Sequence, residues 1–467
     1  MHRSSHSFDR VAPAVASAES VPVFTYDPNA NAHSADVVDL PCFARPVSRG
    51  EPGMIAIIGA GIGGLTLALA LHRAGLPCRV FESTPEILPL GVGINVLPHA
   101  TAELQRLDVL NALEEVAVIT REAAFFNRFG QLVYREPAGR WAGFAAPQLS
   151  IHRGDLQGVL LAAVRERIGA ANVVTGHACI GVENEGDLGM RVRFRGPQGE
   201  ALPDLVAAVV VACDGIHSAV RRQLYPDEGP PRYSGINMWR GVTPHAPFLS
   251  GATMVRAGWL SVGKMVIYPI RDRIDAAGRQ LVNWVAELEC ADPVRRDWNA
   301  RGSLDDFFPR FASWDFDWLD VAGMIRGTET ILAYPMVDQD PLPRWSFGRV
   351  TLLGDAAHPM VPRGSNGAGQ AILDARCLAD QLAAHGIGAE ALQRYDEIRN
   401  AATARVVLMN RSNPPDAILR EVHERSGDRP FAKIEDVVSA DALAQIADNY
   451  KKVAGMAVPA PVQEMPR

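Results

Sequence analysis

The chain has 467 residues, of which 48% are hydrophobic and 21% charged, a composition typical of a globular enzyme with room for two domains. Its formal net charge of −7 at pH 7 does not indicate a nucleic acid or an anionic membrane as partner. No apolar run is long enough to span a bilayer. The six cysteines are scattered and show no metal-ligand spacing, which favours reduced thiols in a cytoplasmic protein without a metal site.

Residues 1–53 show no sustained hydrophobic periodicity and are rich in Ser, Ala, Pro, Asn and His. We predict that they form a mostly disordered N-terminal extension. A short apolar run after Arg10 is interrupted by Pro13, so a cleaved export signal is the less favoured interpretation. Met54 would serve as a natural start, in which case the extension would be dispensable.

The strongest local pattern begins at Met54. Five apolar residues that end at Ile58 predict a strand buried on both faces. Gly59, Gly61 and Gly64 then form G-x-G-x-x-G before an apolar helix. In this pattern the first glycine permits a tight turn, the second lets the backbone approach a pyrophosphate, and the third lets the helix pack closely on the sheet. The pyrophosphate would lie at the helix N-terminus.

A second predicted strand, residues 78–81, ends at Glu82, which lies 18 residues (82 − 64) after Gly64. An acidic residue at this place accepts hydrogen bonds from an adenosine ribose. A glycine-rich turn without a ligand is the alternative for the glycine motif alone. The ordered series of strand, turn, helix, strand and acid favours a dinucleotide site, with Ser83 as a further candidate.

Two later predicted strands also lead into acidic residues. Residues 205–211 are followed by Asp214 and Gly215, and residues 350–353 by Gly354 and Asp355. A lone carboxylate at the end of a buried strand needs hydroxyl or N–H partners, which favours a ligand-binding role for Asp355. For Asp214 the alternative is a turn aspartate that caps the following segment.

The pattern changes between residues 233 and 334, where short strands carry Trp, Met and Tyr. We predict an antiparallel sheet inserted into the nucleotide-binding domain, and a helical, Trp-rich piece at residues 304–319. The predicted fold class is α/β, with a Rossmann-like domain and C-terminal helices. Its parts are residues 54–232, the inserted sheet 233–334, the second part 335–410 with long helices, and a tail 411–467 with one short helix at about 440–450.

The three strand-end motifs, in this order, resemble those of the single-component FAD-dependent aromatic hydroxylases, which share the para-hydroxybenzoate hydroxylase fold. The resemblance covers about residues 54–407. Five further segments are similar to the phenazine hydroxylases of pyocyanin biosynthesis, which indicates a subfamily rather than a shared substrate: residues 90–95, 150–154, 238–242, 334–338 and 364–368.

The resemblance implies an FAD-binding role for residues of each motif. The pyrophosphate would be held by the three glycines, the adenosine ribose by Glu82, and the ribityl chain by Asp355. Arg153 would reach the phosphate and ribityl region, and Asp214 with Gly215 would support FAD and a transient nicotinamide site. The full set of candidate cofactor residues is Gly59, Gly61, Gly64, Glu82, Ser83, Val92, Arg153, Asp214, Gly215, Asp355, Gly367 and Ala368.

One segment departs from the family pattern. The family usually has G-Q-G, one residue and Asn, where this chain has residues 365–369, Ser-Asn-Gly-Ala-Gly. Backbone N–H groups of Gly367 to Gly369 at a helix start would still stabilise negative charge on a reduced flavin ring. Roles of the family's Asn side chain do not carry over.

The activity that the resemblance implies is hydroxylation of a small aromatic or N-heteroaromatic substrate by FAD, NAD(P)H and O2 through a flavin hydroperoxide. NADH or NADPH would bind transiently, because no second glycine motif of this kind occurs. A dehydrogenase or reductase that inserts no oxygen is the main alternative. A flavin halogenase is disfavoured, because the Trp-x-Trp-x-Ile-Pro motif of that class does not occur in this chain. An FAD-binding protein without catalysis is a further alternative. A monomer or a homodimer is expected.

Candidate catalytic residues lie in the inserted sheet: Trp239, Arg240 and Tyr268, together with Trp284. For the aromatic residues the alternative is ordinary sheet core. Arg240 lies between apolar residues and needs an anionic partner, either a substrate carboxylate or a structural Asp. Pro359 and Met360 would close the pocket from the flavin side. His358 is a weaker base candidate and more readily fixes its loop.

Overall fold

The computed structural model describes residues 47–49, 53–89, 91–294, 301–412 and 416–453. The strands in this part of the chain are β1 Val47–Arg49, β2 Ile55–Ile58, β3 Cys78–Phe81, β4 Gly93–Val96, β5 Val118–Thr120, β6 Glu122–Phe126, β7 Leu132–Pro137, β8 Gln148–His152, β9 Val173–Val174, β10 Ala178–Asn184, β11 Met190–Arg195, β12 Asp204–Ala207, β13 Val209–Ala212, β14 Arg232–His245, β15 Thr253–Trp259, β16 Gly263–Arg271, β17 Gln280–Glu289, β18 Asp315–Phe316, β19 Leu319–Asp320, β20 Leu332–Asp338, β21 Ser346–Phe347 and β22 Val350–Leu352. The helices are α1 Ile62–Arg73, α2 Pro98–Arg106, α3 Leu110–Val116, α4 Arg153–Ile168, α5 Ala219–Leu224, α6 Val321–Arg326, α7 Gly367–His385, α8 Ala389–Ser412, α9 Ala417–Ser426 and α10 Ala440–Val453. Among these helices, none combines the length and the hydropathy that a membrane span requires.

A six-stranded sheet forms the nucleotide-binding core, in the order β21-β22-β13-β2-β3-β9. All its neighbouring strands are parallel except β21 and β22. Every residue of β2, β13 and β22 is buried, because helices cover both faces and the strands therefore consist of apolar runs with few polar side chains. The predicted α/β class is confirmed.

A seven-stranded sheet follows the order β20-β14-β17-β16-β15-β6-β7. Its pairs are antiparallel except that β15 and β6 run parallel. The predicted insertion at residues 233–334 supplies only part of this sheet. The hairpin β6-β7 comes from residues 122–137, which sequence analysis placed in the nucleotide-binding part, because strand pairing over such a distance leaves no local pattern.

The two faces of this sheet are buried by different parts of the protein. Its outer face carries Trp239 and Trp284 and is covered by aromatic residues of the segment 301–326. This segment was predicted as helical, but it contains the single turns Leu304–Asp306 and Phe308–Arg310 and the strand pair β18-β19. Pro309 lacks an N–H group and interrupts regular helical bonding there.

The inner face of the sheet carries Met238, Arg240, Lys264, Tyr268 and Val285. These residues share one face because the register pairs β14 with β17 and β17 with β16, and side chains alternate along each strand. This face turns toward a three-stranded sheet of order β4-β8-β5, to which polar side chains connect it.

The two ends of the chain add to this core. Val47–Arg49 forms a strand parallel to β12, so these residues of the predicted disordered extension are ordered; residues 1–46 and 50–52 lie outside the described part. In the tail, the short helix predicted at about 440–450 corresponds to α10, whereas α9 was not predicted. Helix α9 packs Ile418 and Val422 against Phe125 of the hairpin.

A buried group of charges joins the tail to the inner face. Lys264 Nζ lies 2.9 Å from a Glu287 oxygen and 2.5 Å from an Asp416 oxygen, and Arg256 Nε lies 3.2 Å from the other Asp416 oxygen. Burial would raise the pKa of Asp416, but the charges of Lys264 and Arg256 lower it below its ordinary value. Asp416 immediately precedes α9, so this cluster anchors the C-terminal helices.

We expect the Lys264→Met variant to lose about 3–5 kcal/mol of unfolding free energy, because two carboxylates then remain buried without their main partner. The matched control is Arg193→Met, whose pair with Glu183 is almost half exposed and contributes under about 1 kcal/mol. Equilibrium urea unfolding measures both. Equal losses in the two variants would contradict the anchoring role of Lys264.

Candidate functional site

The carboxyl ends of four parallel strands meet at one edge of the six-stranded sheet. Gly59 follows β2, Glu82 follows β3, Asp214 lies just beyond β13, and Asp355 lies just beyond β22. In open parallel sheets, ligands bind in the crevice outside these ends. The sheet therefore brings together the residues of the three motifs predicted from the sequence.

The three glycines of the turn have different surroundings. Gly59 has φ +105°, and a Cβ there would collide with the carbonyl oxygen of Cys213. A Cβ on Gly64 would collide with the carbonyl oxygen of Gly59. A Cβ on Gly61 would meet nothing within 4 Å. The protein itself requires glycine at the first and third positions, whereas the second faces open space of the kind that a pyrophosphate would fill.

The carboxylate of Glu82 is hydrogen-bonded to the glycine turn that follows β2. Its Oε2 accepts a hydrogen bond of 2.9 Å from the Ala60 N–H, and its Oε1 accepts bonds of 2.9 Å from Ser83 Oγ and from the Thr84 N–H. Gln157, which sequence analysis missed, donates to the Ala60 carbonyl at 2.8 Å. Gln157 lies one helical turn after Arg153 on α4. Residues at this spacing share one face of a helix, so the position of Arg153 could have indicated that Gln157 also lies near the site.

Arg153 lies at the first position of α4 and is exposed. Its backbone N–H donates to the Val92 carbonyl at 2.9 Å, and its side chain lies against Gly91, where a Cβ would be 3.4 Å from Arg153 Cδ. The guanidinium makes no hydrogen bond or ion pair with the residues described here. Arg153 and Val92 therefore share one loop, and the charge of Arg153 is available to an anionic ligand.

Asp355 lies in the wall of a cleft. Its side chain is exposed, yet protein surrounds it closely enough that desolvation raises its pKa above the ordinary value, against the charges of His358 and Arg153. A Cβ on Gly367 would be 3.9 Å from Asp355 Oδ1. Asp355 and the N-terminus of α7, where Gly367 and Ala368 lie, thus face the same space, as ribityl hydroxyls and a flavin ring would require.

The two carboxylate oxygens of Asp214 differ, since one accepts a hydrogen bond and the other does not. Its Oδ2 accepts a hydrogen bond of 2.8 Å from the Ala219 N–H, at the start of α5, which is the capping alternative. Its Oδ1 is buried without a hydrogen bond, and burial raises the pKa of the carboxyl. Gly215 has φ +75° and open space around it.

A buried network that the sequence did not reveal supports the Asp355 loop. Asp374 Oδ2 lies 2.6 Å from His358 Nε2 and accepts from the Gly354 N–H at 3.2 Å, while its Oδ1 accepts from Arg399 Nε at 2.7 Å. Burial would raise the pKa of Asp374, but His358 and Arg399 hold it below its ordinary value. His358 thus fixes the loop, the role favoured over that of a base.

A second missed residue holds the same loop from the other side. Arg221 is 2% exposed and donates from Nη1 to the carbonyls of Ala356 and Ala357 at 2.9 and 2.8 Å. Its Nε bonds Glu228 at 2.7 Å. The sequence contains these charges, but nothing in the local pattern indicates which carbonyls they bind.

Three side chains of the inner face converge on Gly93. Arg240 Nη2 and Tyr268 Oη each donate to the Gly93 carbonyl at 2.8 Å, and the Gly93 N–H donates to Asn283 Oδ1 at 2.8 Å. Burial raises the pKa of Tyr268, so its hydroxyl stays protonated and donates. The structure gives Arg240 a carbonyl partner instead of the expected anion and ties the inner face to β4.

Trp239 lies on the opposite face from Arg240 and Tyr268, because adjacent residues of a strand point to opposite sides. It is 2% exposed and stacks on Phe307 with 5.2 Å between ring centroids. Trp284 lies in the same cluster, fully buried. The placement of Trp239 and Trp284 corresponds to the sheet-core alternative and corrects the expectation that they line the pocket.

An apolar wall lies between the inner face and the loop after β22. Met238, Val285, Tyr334 and Met336 pack together with Val361 of this loop. Pro359 and Met360 precede Val361 directly, so the segment predicted to close the pocket does lie beside the inner face.

The FAD binding domain family matches residues 54–262 and 330–410. The chain belongs to this family. Its two matched stretches contain the glycine turn, the Asp355 loop and the start of α7, so the cofactor is FAD. Three features fit that cofactor: the open space at Gly61, the carboxyl group of Asp355 and the N-terminus of α7.

The hydroxylase relatives are similar over nearly their whole length. Phenazine 1,6-dicarboxylic acid hydroxylase PhzS from Lysobacter antibioticus is 44% identical, with 85% of this chain and 96% of that protein covered. 3-Amino-4-hydroxybenzoate 2-monooxygenase PtmB3 from Streptomyces platensis is 36% identical, covering 82% and 89%. The solved structure of Klebsiella pneumoniae HpxO complexed with FAD and uric acid has a TM-score of 0.66 at 23% identity, covering 86% and 95%, which shows a shared fold.

The protein is therefore an FAD-dependent monooxygenase of the aromatic hydroxylase family, and NAD(P)H and O2 are its cosubstrates. The relatives are named as hydroxylases and monooxygenases, which favours oxygen insertion over the dehydrogenase alternative.

We expect Gly61→Ala to weaken FAD binding and Gly64→Ala to destabilise the fold. At Gly61 the added methyl group fills the open space, so FAD affinity falls by at least about tenfold while the thermal midpoint of the FAD-free protein stays unchanged. At Gly64 the collision with the Gly59 carbonyl lowers that midpoint directly. Flavin titration and thermal unfolding of FAD-free protein measure the two effects. An equal loss of apoprotein stability in both variants would contradict the role of this open space in FAD binding.

We expect Arg240→Met to act on the fold rather than on substrate affinity. Loss of the charged hydrogen bond to Gly93 should lower the unfolding free energy by about 1.5–3 kcal/mol and reduce FAD occupancy. Tyr268→Phe is the matched control, since it removes only a neutral bond to the same oxygen, about 0.5–1.5 kcal/mol. A large rise in substrate KM in a stable, FAD-loaded Arg240→Met protein would restore its role as substrate anchor.

Proposed function

We propose that this monooxygenase hydroxylates an aromatic or N-heteroaromatic carboxylic acid. The proposal is supported by the names of its relatives, which include hydroxylases of phenazine 1,6-dicarboxylic acid, 3-amino-4-hydroxybenzoate, 3-hydroxybenzoate and 6-hydroxynicotinate. Each of these substrates is an aromatic ring that carries at least one carboxylate. The observation that carries the proposal is the convergence of the FAD-binding strand ends with the apolar inner face.

Bound FAD, once reduced by NAD(P)H, supplies the activation of dioxygen. Around it, the chain's own groups would have separate roles. Gly61 permits close approach of the pyrophosphate, Arg153 places a positive charge near the phosphates, and Asp355 accepts hydrogen bonds from hydroxyl groups. The N–H groups at Gly367 and Ala368 stabilise negative charge beside the start of α7.

The apolar wall of the inner face would hold the aromatic ring and exclude water. Met238, Val285 and Val361 carry no proton donor, so this wall would keep water and protons away from the reacting ring. Arg240 and Tyr268 would position the loop that includes Val92 through their bonds to Gly93. A cytoplasmic location, and a monomer or homodimer, belong to the same proposal.

The test is substrate-dependent NAD(P)H oxidation by the yellow, FAD-loaded protein. We expect 3-hydroxybenzoate, 6-hydroxynicotinate or phenazine 1,6-dicarboxylic acid to accelerate NAD(P)H oxidation by at least about tenfold. One O2 should be consumed for each NAD(P)H, and the product mass should rise by one oxygen atom. The absence of stimulation by any of a broad set of aromatic acids, phenols and N-heterocycles would contradict the proposal, and so would oxidation of the substrate without oxygen gain.

A further inference from the structure

Four basic side chains lie at or beside the inner face of the sheet, and three of them are engaged. Arg240 donates from Nη2 to the Gly93 carbonyl, although its Nε is buried without a hydrogen bond, while Lys264 and Arg256 pair with the carboxylates of the C-terminal cluster. The fourth, Arg363, belongs to the loop between β22 and α7.

Arg363 lies beside the apolar wall. Its N–H donates to the carbonyl of Val361 at 2.8 Å, and Val361 is buried against Met238 and Val285. Three residues later, Asn366 precedes α7, whose first turn faces Asp355. Arg363 is thus placed between the proposed position of the substrate ring and the N-terminus of the helix next to the flavin site.

The guanidinium of Arg363 has no anionic partner among the residues that the structure describes. Its Nε is buried without a hydrogen bond, and the ion pairs of Asp416 among the described residues are with Arg256 and Lys264 rather than with Arg363. A guanidinium carries a fixed charge, so it cannot relieve this desolvation by losing its proton. Burial of one of its donors is unfavourable unless an acceptor binds there, and the carboxylate of a ligand is an acceptor that would also balance the charge.

The charge balance of this region points the same way. Arg240, Arg256, Lys264 and Arg363 contribute four positive charges, whereas Glu287 and Asp416 contribute two negative ones. Arg363 is close enough for its charge to add to those of Lys264 and Arg256 in lowering the pKa of Asp416, against the effect of burial. Positive charge is therefore in excess at a partly buried site, and a ligand with a carboxylate would neutralise part of it.

We propose that Arg363 binds the carboxylate of the aromatic substrate, with its planar guanidinium as a two-pronged donor and the ring against Met238, Val285 and Val361. The proposal rests on the proposed function, since it assigns the group that selects an acid among aromatic compounds. It moves the anion-binding role from Arg240 to Arg363. The competing explanation is that Arg363 only supports Asp416 electrostatically.

The test compares acids with their uncharged amides. The FAD-loaded proteins carrying Arg363→Met, Arg363→Lys or no substitution are titrated with 3-hydroxybenzoate and 3-hydroxybenzamide, and with phenazine 1,6-dicarboxylic acid and its diamide. The change in flavin absorbance on binding gives each Kd. Arg405→Met is the matched control, because Arg405 is an exposed arginine of α8 without an ion pair among the described residues.

We expect Arg363→Met to raise the Kd of the acids roughly ten- to hundredfold, the loss of a charge-assisted hydrogen bond, while the Kd of the amides stays unchanged. FAD content and the thermal midpoint should also stay unchanged. Arg363→Lys should recover part of the acid affinity, because lysine restores the positive charge but not the two parallel N–H donors of the guanidinium. Arg405→Met should behave like the unsubstituted protein.

Two results would overturn this role while leaving the proposed function intact. One is an unchanged ratio of acid to amide affinity in an FAD-loaded Arg363→Met protein that still hydroxylates an acid. The other is a lowered thermal midpoint with parallel losses for acid and amide, which would assign Arg363 to the support of Asp416. If no aromatic compound binds to the unsubstituted protein or stimulates NAD(P)H oxidation, both proposals fail together.

Discussion

Parallel pairing is the constraint on which the site depends. Because β2, β3, β13 and β22 run in one direction, each strand delivers the residues after it to the same edge of the sheet. The strands are buried on both faces, so their own side chains pack into the core and leave little room for chemistry. Polar groups are confined to the positions just beyond the strands, and that is where Glu82, Asp214 and Asp355 lie.

A second connection, at Gly93, joins the seven-stranded sheet to the three-stranded sheet β4-β8-β5. The inner face of the large sheet reaches across to β4 through Arg240, Tyr268 and Asn283. A Cβ at Gly93 would lie 2.6 Å from Asn283 Cβ, so only glycine permits this approach. Side chains alternate along each strand of the large sheet. Residues on the same side as Arg240 therefore face β4, and residues on the same side as Trp239 enter the outer core.

The extent to which the sequence predicted these features follows from how local each one is. The glycine turn, Glu82 and Asp355 were predictable, since a strand followed by a turn and a helix leaves its pattern within a few residues. The partner of Arg240 was not, because Gly93 is 147 residues away along the chain. The same holds for the pairing of β6 with β15, which adds the hairpin to the large sheet, and for Asp374, whose pairing with His358 and Arg399 exists only after α7 and α8 pack.

Charged side chains that support the fold differ from those near the candidate site in the number of their partners. Where the fold needs rigidity, it surrounds a charge with several partners: Asp374 bonds three groups, and Lys264 lies between two carboxylates. Such pairs stabilise the fold only because their partners are complete. Arg153 and Arg363, in contrast, have no carboxylate partner in the described part of the chain. Guanidinium groups bind anionic oxygens well, so we propose that their partners arrive with ligands, a phosphate for Arg153 and a carboxylate for Arg363.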